Sequence, residues 1–188
     1  MKTAIILSGM PSKKEYFNPK SQAQTNKHWL PWIQRQLILN KILAQTIELP
    51  EPYRPVYEKW ASVFEQFKID QDTILIGYSC GAGFLIRWLS ENKIKVGKVA
   101  LVAPLLDPDK TIKTGFFDFE LDKDLTKRIK DLIVFYSIDD RADVIETVNI
   151  LKSNLKNTRL IKFTDKRHFT LGSMKTEEFP KLRDELLK

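Results

Sequence analysis

Short apolar runs separated by longer amphipathic stretches recur along this 188-residue chain, and that alternation constrains the fold more than any other feature. TAIILS (Thr3 to Ser8), KILAQTIEL (Lys41 to Leu49), DTILIG (Asp72 to Gly77), KVALVAP (Lys98 to Pro104), LIVFYS (Leu132 to Ser137) and RLIKF (Arg159 to Phe163) read as strands. Between them, Trp29, Trp32, Ile33 and Leu37 fall at helical spacing, with Pro31 allowable in a first turn. Val56, Trp60, Val63, Phe64 and Phe67 form a second apolar stripe, and Phe84, Leu85, Trp88 and Leu89 a third. Further helices are predicted around 123–130, over 144–155 and over 176–187. Strands alternating with helices fold as an α/β layer structure, a mostly parallel sheet of about six strands with helices on both faces. Flavodoxin-like and Rossmann sheets share this layout, and in all of them ligands lie beyond the carboxyl ends of the strands.

The chain is long enough for one domain with a full core, and residues 1–188 are expected to form a single one. No proline, glycine or serine tract marks a linker. Lys and Arg outnumber Asp and Glu by 31 to 24, but they are spread rather than gathered. Even the most basic stretch, Lys156 to His168, interleaves its charges with apolar residues and reads as a solvated face, not a nucleic-acid patch. The one cysteine, Cys80, excludes an internal disulfide and a thiolate zinc cluster, and it favours a reducing, cytoplasmic setting. No metal and no cofactor is expected. The opening MKTAIILSGMP lacks the length and cleavage site of a signal peptide and reads as a first strand. No apolar run approaches the length of a membrane span.

Chemistry concentrates around IGYSCGAG, Ile76 to Gly83. The chain has seven glycines, and three of them, Gly77, Gly81 and Gly83, lie here around Ser79. Gly77-Tyr78-Ser79-Cys80-Gly81 follows a strand and precedes a helix, the context that a G-x-S-x-G nucleophile elbow requires. Such a turn lifts the serine hydroxyl above the sheet and needs small flanking residues for close approach. The following backbone N–H groups and the positive helix end then face a developing oxyanion. Alone the pattern is weak, since roughly one chain in twenty of this length would contain it by chance at average residue frequencies. A Rossmann phosphate loop would place its glycines after the first strand as G-x-G-x-x-G, whereas this loop follows the third.

A serine nucleophile needs a base, and the chain has two histidines, His28 and His168. His168 follows the last strand in DKRHF, and LIVFYSIDD places Asp139 and Asp140 after the strand before it. Serine, acid and histidine thus stand in the order found in α/β-hydrolases, each after a separate strand. The acid would fix the tautomer of His168, which would take the serine proton. Asp139 and Asp140 are both open as the acid on spacing alone. Cys80 beside the serine is expected to point away from the substrate.

At these residues the sequence resembles the small serine hydrolases that include retinoblastoma-binding protein nine and bacterial YdeN-like proteins, lid-poor α/β-hydrolases of about this length. HWLPW (His28 to Trp32) resembles the start of that family's first helix, and ILIGYSCGA its nucleophile strand and elbow. VALVAP resembles the next strand and TGFFDF the aromatic segment before the acid strand. VFYSIDD and KFTDKRHF resemble the acid and histidine loops. The resemblance implies an α/β-hydrolase fold with a minimal lid, and it implies Asp140, the second acid of the pair, as partner of His168. Tyr78 stands where the family usually has histidine, and LSGMPSKKEYFNPKSQAQTNK replaces a glycine-rich loop. Gly9 and Met10 are the nearest match to the oxyanion loop, beside the Cys80 backbone N–H.

The expectation is therefore a serine hydrolase with Ser79, Asp140 and His168 as catalytic residues, acting on a small ester, thioester or amide, or a short peptide. Tyr78, His28, Trp29, Phe116 and Phe117 are candidates to border its pocket. The last two lie in the turn-rich excursion from Leu105 to Asp118, where a cap is expected. Phe116 and Phe117 could equally be core, and Trp29, at helical spacing with Trp32, reads more readily as core than as rim. The alternative from another class is a non-catalytic protein-binding module on the same scaffold.

Overall fold

The computed structural model describes residues 2–188. Six parallel strands form one sheet in the order β2-β1-β3-β4-β5-β6: β1 (Thr3–Leu7), β2 (Leu43–Ile47), β3 (Thr73–Tyr78), β4 (Val96–Val102), β5 (Ile129–Ser137) and β6 (Arg159–Phe163). The helices are α1 (Lys13–Tyr16), α2 (Leu30–Leu39), α3 (Tyr57–Phe64), α4 (Cys80–Asn92), α5 (Ala142–Asn154), α6 (Leu171–Met174) and α7 (Pro180–Leu187). The expectation of a mostly parallel, α/β-hydrolase-like sheet of about six strands holds in strand direction and number.

Side-chain alternation explains why central strands read as continuous apolar runs. All of β3 is buried, with Ile74 and Ile76 facing one layer and Leu75 the other. On the Leu75 side, α3 and α4 pack through an aromatic cluster in which Phe64 meets Phe84 and Trp88 edge-on, at 5.3 and 4.9 Å. On the other side, Leu30, Ile33 and Leu37 of α2 pack with Leu182 and Leu186 of α7. Every residue of α4 from Cys80 to Ser90 is buried, so this helix is the central support of the sheet.

Two elements depart from the sequence reading. The helix predicted around 123–130 is a short 3-10 turn, Leu125–Arg128, and β5 begins at Ile129 because Ile129 pairs with Val96 and extends the ladder. The last helix starts at Pro180 rather than Thr176; proline suits a first turn, where its missing N–H leaves no bond unmade.

The excursion after Pro104 does not cap the sheet's carboxyl edge. Phe116 is fully buried and meets Trp60 edge-on at 4.8 Å, while the Arg87 guanidinium donates to the Gly115 and Phe116 carbonyls at 2.7 and 2.9 Å. The segment is therefore folded down against α3 and α4. Strand order places β1 between β2 and β3, so the crossover from β1 to β2 runs one way along the sheet and the next, from β2 to β3, runs back past β1. That switch point opens a crevice between the carboxyl ends of β1 and β3.

Candidate active site

The turn from β3 into α4 is built by close contacts that only glycine permits. A Cβ on Gly77 would lie 2.5 Å from Ala82 Cα, and one on Gly81 would lie 2.5 Å from the Ser8 carbonyl oxygen. The third glycine serves a different contact: a Cβ on Gly83 would lie 1.9 Å from the Leu105 carbonyl, under the start of the excursion. Ser79 itself holds φ +53 and ψ −116, a conformation that costs about 1–3 kcal/mol for a side-chain-bearing residue. Hydrogen bonds hold it there: its N–H donates to Val102 O at 2.9 Å, and its carbonyl accepts from Ala82, Gly83 and Leu105.

The Ser79 hydroxyl is 2.9 Å from His168 Nε2. On the far side of the ring, His168 Nδ1 is 3.0 and 3.1 Å from the two carboxylate oxygens of Asp140. The carboxylate fixes the tautomer: Nδ1–H donates to Asp140, leaving Nε2 to accept the serine proton. The Asp140 side chain is buried, and its Oδ1 also accepts the Arg141 N–H at 2.7 Å. Asp139 turns elsewhere, accepting from the Ser137 hydroxyl and from the Arg167 N–H. These bonds, led by that of Ser137, hold its carboxyl below the usual range. The two acids left open by spacing are thus separated by geometry, and Asp140 alone reaches His168.

The loop carrying His168 is anchored on both flanks. Phe169 is fully buried and stacks on Phe179 at 5.5 Å. The Tyr78 hydroxyl donates to the His168 carbonyl at 2.7 Å, so this tyrosine ties the end of β3 to the loop that carries His168. Beyond it, Leu171 N–H donates to His28 Nδ1 at 3.1 Å. Burial, aided by neighbouring Lys27, lowers the His28 pKa to about 4, which keeps this imidazole neutral at neutral pH.

Gly9 lies against the serine: a Cβ there would be 3.1 Å from Ser79 Cβ and 3.3 Å from the Tyr78 ring. Met10 follows, half-exposed at the rim. The first N–H groups of α4, beginning with Cys80, have no partner within the helix, as at any helix start. The Cys80 thiol is fully buried, and burial pushes its pKa far above the ordinary value, so it is not a nucleophile here.

A cavity of about 220 Å³ opens at Ser79 and His168, and Gly9, Met10, His28 and Tyr78 border it. Trp29, Phe116 and Phe117 do not. Trp29 is fully buried, edge-on to Tyr78 and Phe179, because its helical position points it at the sheet. Phe116 and Phe117 pack on α4, on the sheet face opposite α2. Conversely, Ser8, Gln24, Lys27 and Arg141 line the cavity and were not singled out from the sequence. Gln24 and Lys27 sit in an aperiodic loop that carries no readable signal. Among the described residues, no group of three or more His, Cys, Asp or Glu could hold a metal, and no helix is long and apolar enough to cross a membrane.

A family model described as "Serine hydrolase" matches residues 18–173. This chain belongs to that serine hydrolase family. Among curated proteins it is similar to the one named "Putative hydrolase YdeN" from Bacillus subtilis (strain 168), with 24% identity over 140 residues, covering 69% of this chain and 72% of the relative. The crystal structure of the B. subtilis ydeN gene product matches with a TM-score of 0.83 at 20% identity, over 100% of this chain and 97% of that one. Est1E from Butyrivibrio proteoclasticus, solved with ferulic acid, matches with a TM-score of 0.66 at 13% identity, over 100% and 90% of the two chains. At these identities the structural likenesses speak for the fold.

Proposed function

We propose that the chain is a single-domain, cofactor-free, cytoplasmic hydrolase that cleaves a small ester, thioester or amide through an acyl-enzyme, and that its kinship extends to retinoblastoma-binding protein nine. The observation that carries the reading is the unbroken hydrogen-bond chain from Ser79 through His168 to buried Asp140, at the mouth of a cavity. Ser79 Oγ attacks the carbonyl carbon while its proton passes to His168 Nε2, and Asp140 stabilises the resulting imidazolium. The oxyanion is received by the Cys80 N–H, with a second donor from Gly9 or Met10. As the tetrahedral intermediate collapses, His168 gives the proton to the leaving group. A water, deprotonated by His168, then attacks the acyl-serine, and collapse returns the proton to Ser79. A cavity of about 220 Å³ suits a short acyl group.

The test is hydrolysis of aryl esters of graded chain length alongside aminoacyl amides. Turnover by the wild type that is lost in Ser79→Ala and His168→Ala is the expected result. A wild type that turns over none of them, and that an activated phosphonate leaves unmodified, favours the non-catalytic binding module.

A further inference from the structure

The cavity beside Ser79 presents neutral polar groups that acyl transfer itself does not use. Gln24, at the start of a 3-10 turn, is only 7% exposed, yet its side-chain amide has no hydrogen-bond partner among the described residues. Ser8 is 3% exposed and its hydroxyl is likewise unpartnered. His28 is the third: with Nδ1 accepting from Leu171, its proton sits on Nε2, a neutral donor without a protein partner. Gln24 and Ser8, both buried, and half-buried His28 thus turn polar groups without a protein partner toward the space of one cavity. A few polar groups placed in this way are what fixes a bound ligand's orientation.

The charged residues of the same cavity are already neutralised. Lys27 is paired with Glu15, and Arg141 makes two bonds to Asp143, at 3.0 and 3.1 Å. The wall therefore addresses a neutral polar group rather than an ion. The Gln24 amide offers both a donor and an acceptor, which a carboxamide matches reciprocally. We infer that the acyl group taken by Ser79 is short and carries a carboxamide, bound by Gln24 with Ser8 and His28 beside it. This rests on the hydrolase reading above and narrows its substrate class to N-acylaminoacyl esters or amides. Gln24 is on this view the specificity residue. A purely apolar pocket discriminates weakly between isosteres, whereas a site built around hydrogen bonds rejects an analogue that leaves its groups unpaired.

The experiment compares nitrophenyl esters of N-acetylglycine and N-acetyl-β-alanine with those of their apolar isosteres, 4-methylpentanoate and 5-methylhexanoate. Each kcat/KM is divided by the ester's hydroxide rate to remove intrinsic reactivity. The wild type is expected to prefer one carboxamide ester over its isostere by roughly tenfold to a hundredfold, and Gln24→Leu to reduce that preference at least about tenfold. Modification by a fluorophosphonate is followed in parallel, so that a misfolded variant is recognised. Gln24→Glu, which keeps an acceptor and side-chain volume, serves as the second variant and should retain part of the preference. A wild type that is modified by the phosphonate but treats both members of each pair alike overturns this inference alone. A preference unchanged in folded Gln24→Leu overturns the assignment to Gln24. A wild type that is never modified overturns the hydrolase reading itself.

Discussion

Replacing Gly77 by alanine tests whether glycine contacts hold Ser79 in place. The added Cβ would lie 2.5 Å from Ala82 Cα, 2.7 Å from Ala82 N and 2.9 Å from the Gly81 carbonyl oxygen. Carbon atoms pack at about 3.5–4.0 Å, so the first turn of α4 has to retreat by roughly 1 Å. All three obstructing atoms are backbone, and no rotamer change relieves them. The Ser79 N–H is tied to Val102 at 2.9 Å, so the strain falls on the serine and its 2.9 Å bond to His168. Overpacking of this kind costs about 1–3 kcal/mol, which for a chain of this size is a fall in melting temperature of roughly 3–10 °C. A 1 Å displacement of the nucleophile is expected to slow fluorophosphonate labelling by about a hundredfold. Thermal denaturation and the rate of labelling measure both. Gly172→Ala is the control, since its Cβ would meet only Thr170 Oγ1, at 3.8 Å. If Gly77→Ala labels within threefold of the wild type while Gly172→Ala behaves normally, close approach is not what positions Ser79.

Exchange of the two neighbouring acids should separate their roles in ester turnover. Asp140→Asn is expected to lower kcat by about 10⁴ through the wrong His168 tautomer, and Asp139→Asn by less than about tenfold, because it disturbs only loop hydrogen bonds. Tyr78→Phe removes the donor to the His168 carbonyl and should cost about 1–3 kcal/mol of stability, read by urea denaturation, with a lower kcat. His28 provides a pH signature. Its folded pKa of about 4 lies below the ordinary 6.5, so the unfolded chain binds the extra proton. The resulting stability is full above pH 6.5 and is lost as pH falls toward about 4. His28→Gln should flatten that limb in denaturation midpoints measured between pH 7 and 4.5, and an unchanged acid limb would exclude His28 as its source.

The parts legible in the sequence were those with a short physical code. Buried parallel strands read as apolar runs, which is why RLIKF matches β6 residue for residue. The tight turn around Ser79 was legible because close approach requires Gly77 and Gly81 at fixed offsets, and His168 stood out because the chain has only two histidines. What spacing left open was decided by contacts between distant segments. Asp140 reaches His168, whereas Asp139 is taken up by the Ser137 hydroxyl and the Arg167 N–H. Whether Trp29, Phe116 and Phe117 border the pocket or belong to the core was likewise left open, and contacts with distant segments decide for the core. Phe116 and Phe117 lie in a segment without periodicity, and nothing local reveals that Arg87 holds that segment against α4. Gln24 was missed because a solitary glutamine in a long loop has no pattern. Its burial arises only when the loop after β1 folds beside His28 and Ser79.

The central claim is that Ser79 is a nucleophile activated by His168. Intact-mass analysis after treatment with a fluorophosphonate, followed by peptide mapping, tests it most directly. The account predicts one adduct per chain, located on Ser79, absent in Ser79→Ala and formed far more slowly in His168→Ala. An unmodified wild type, or an adduct on another residue that persists in Ser79→Ala, would contradict it.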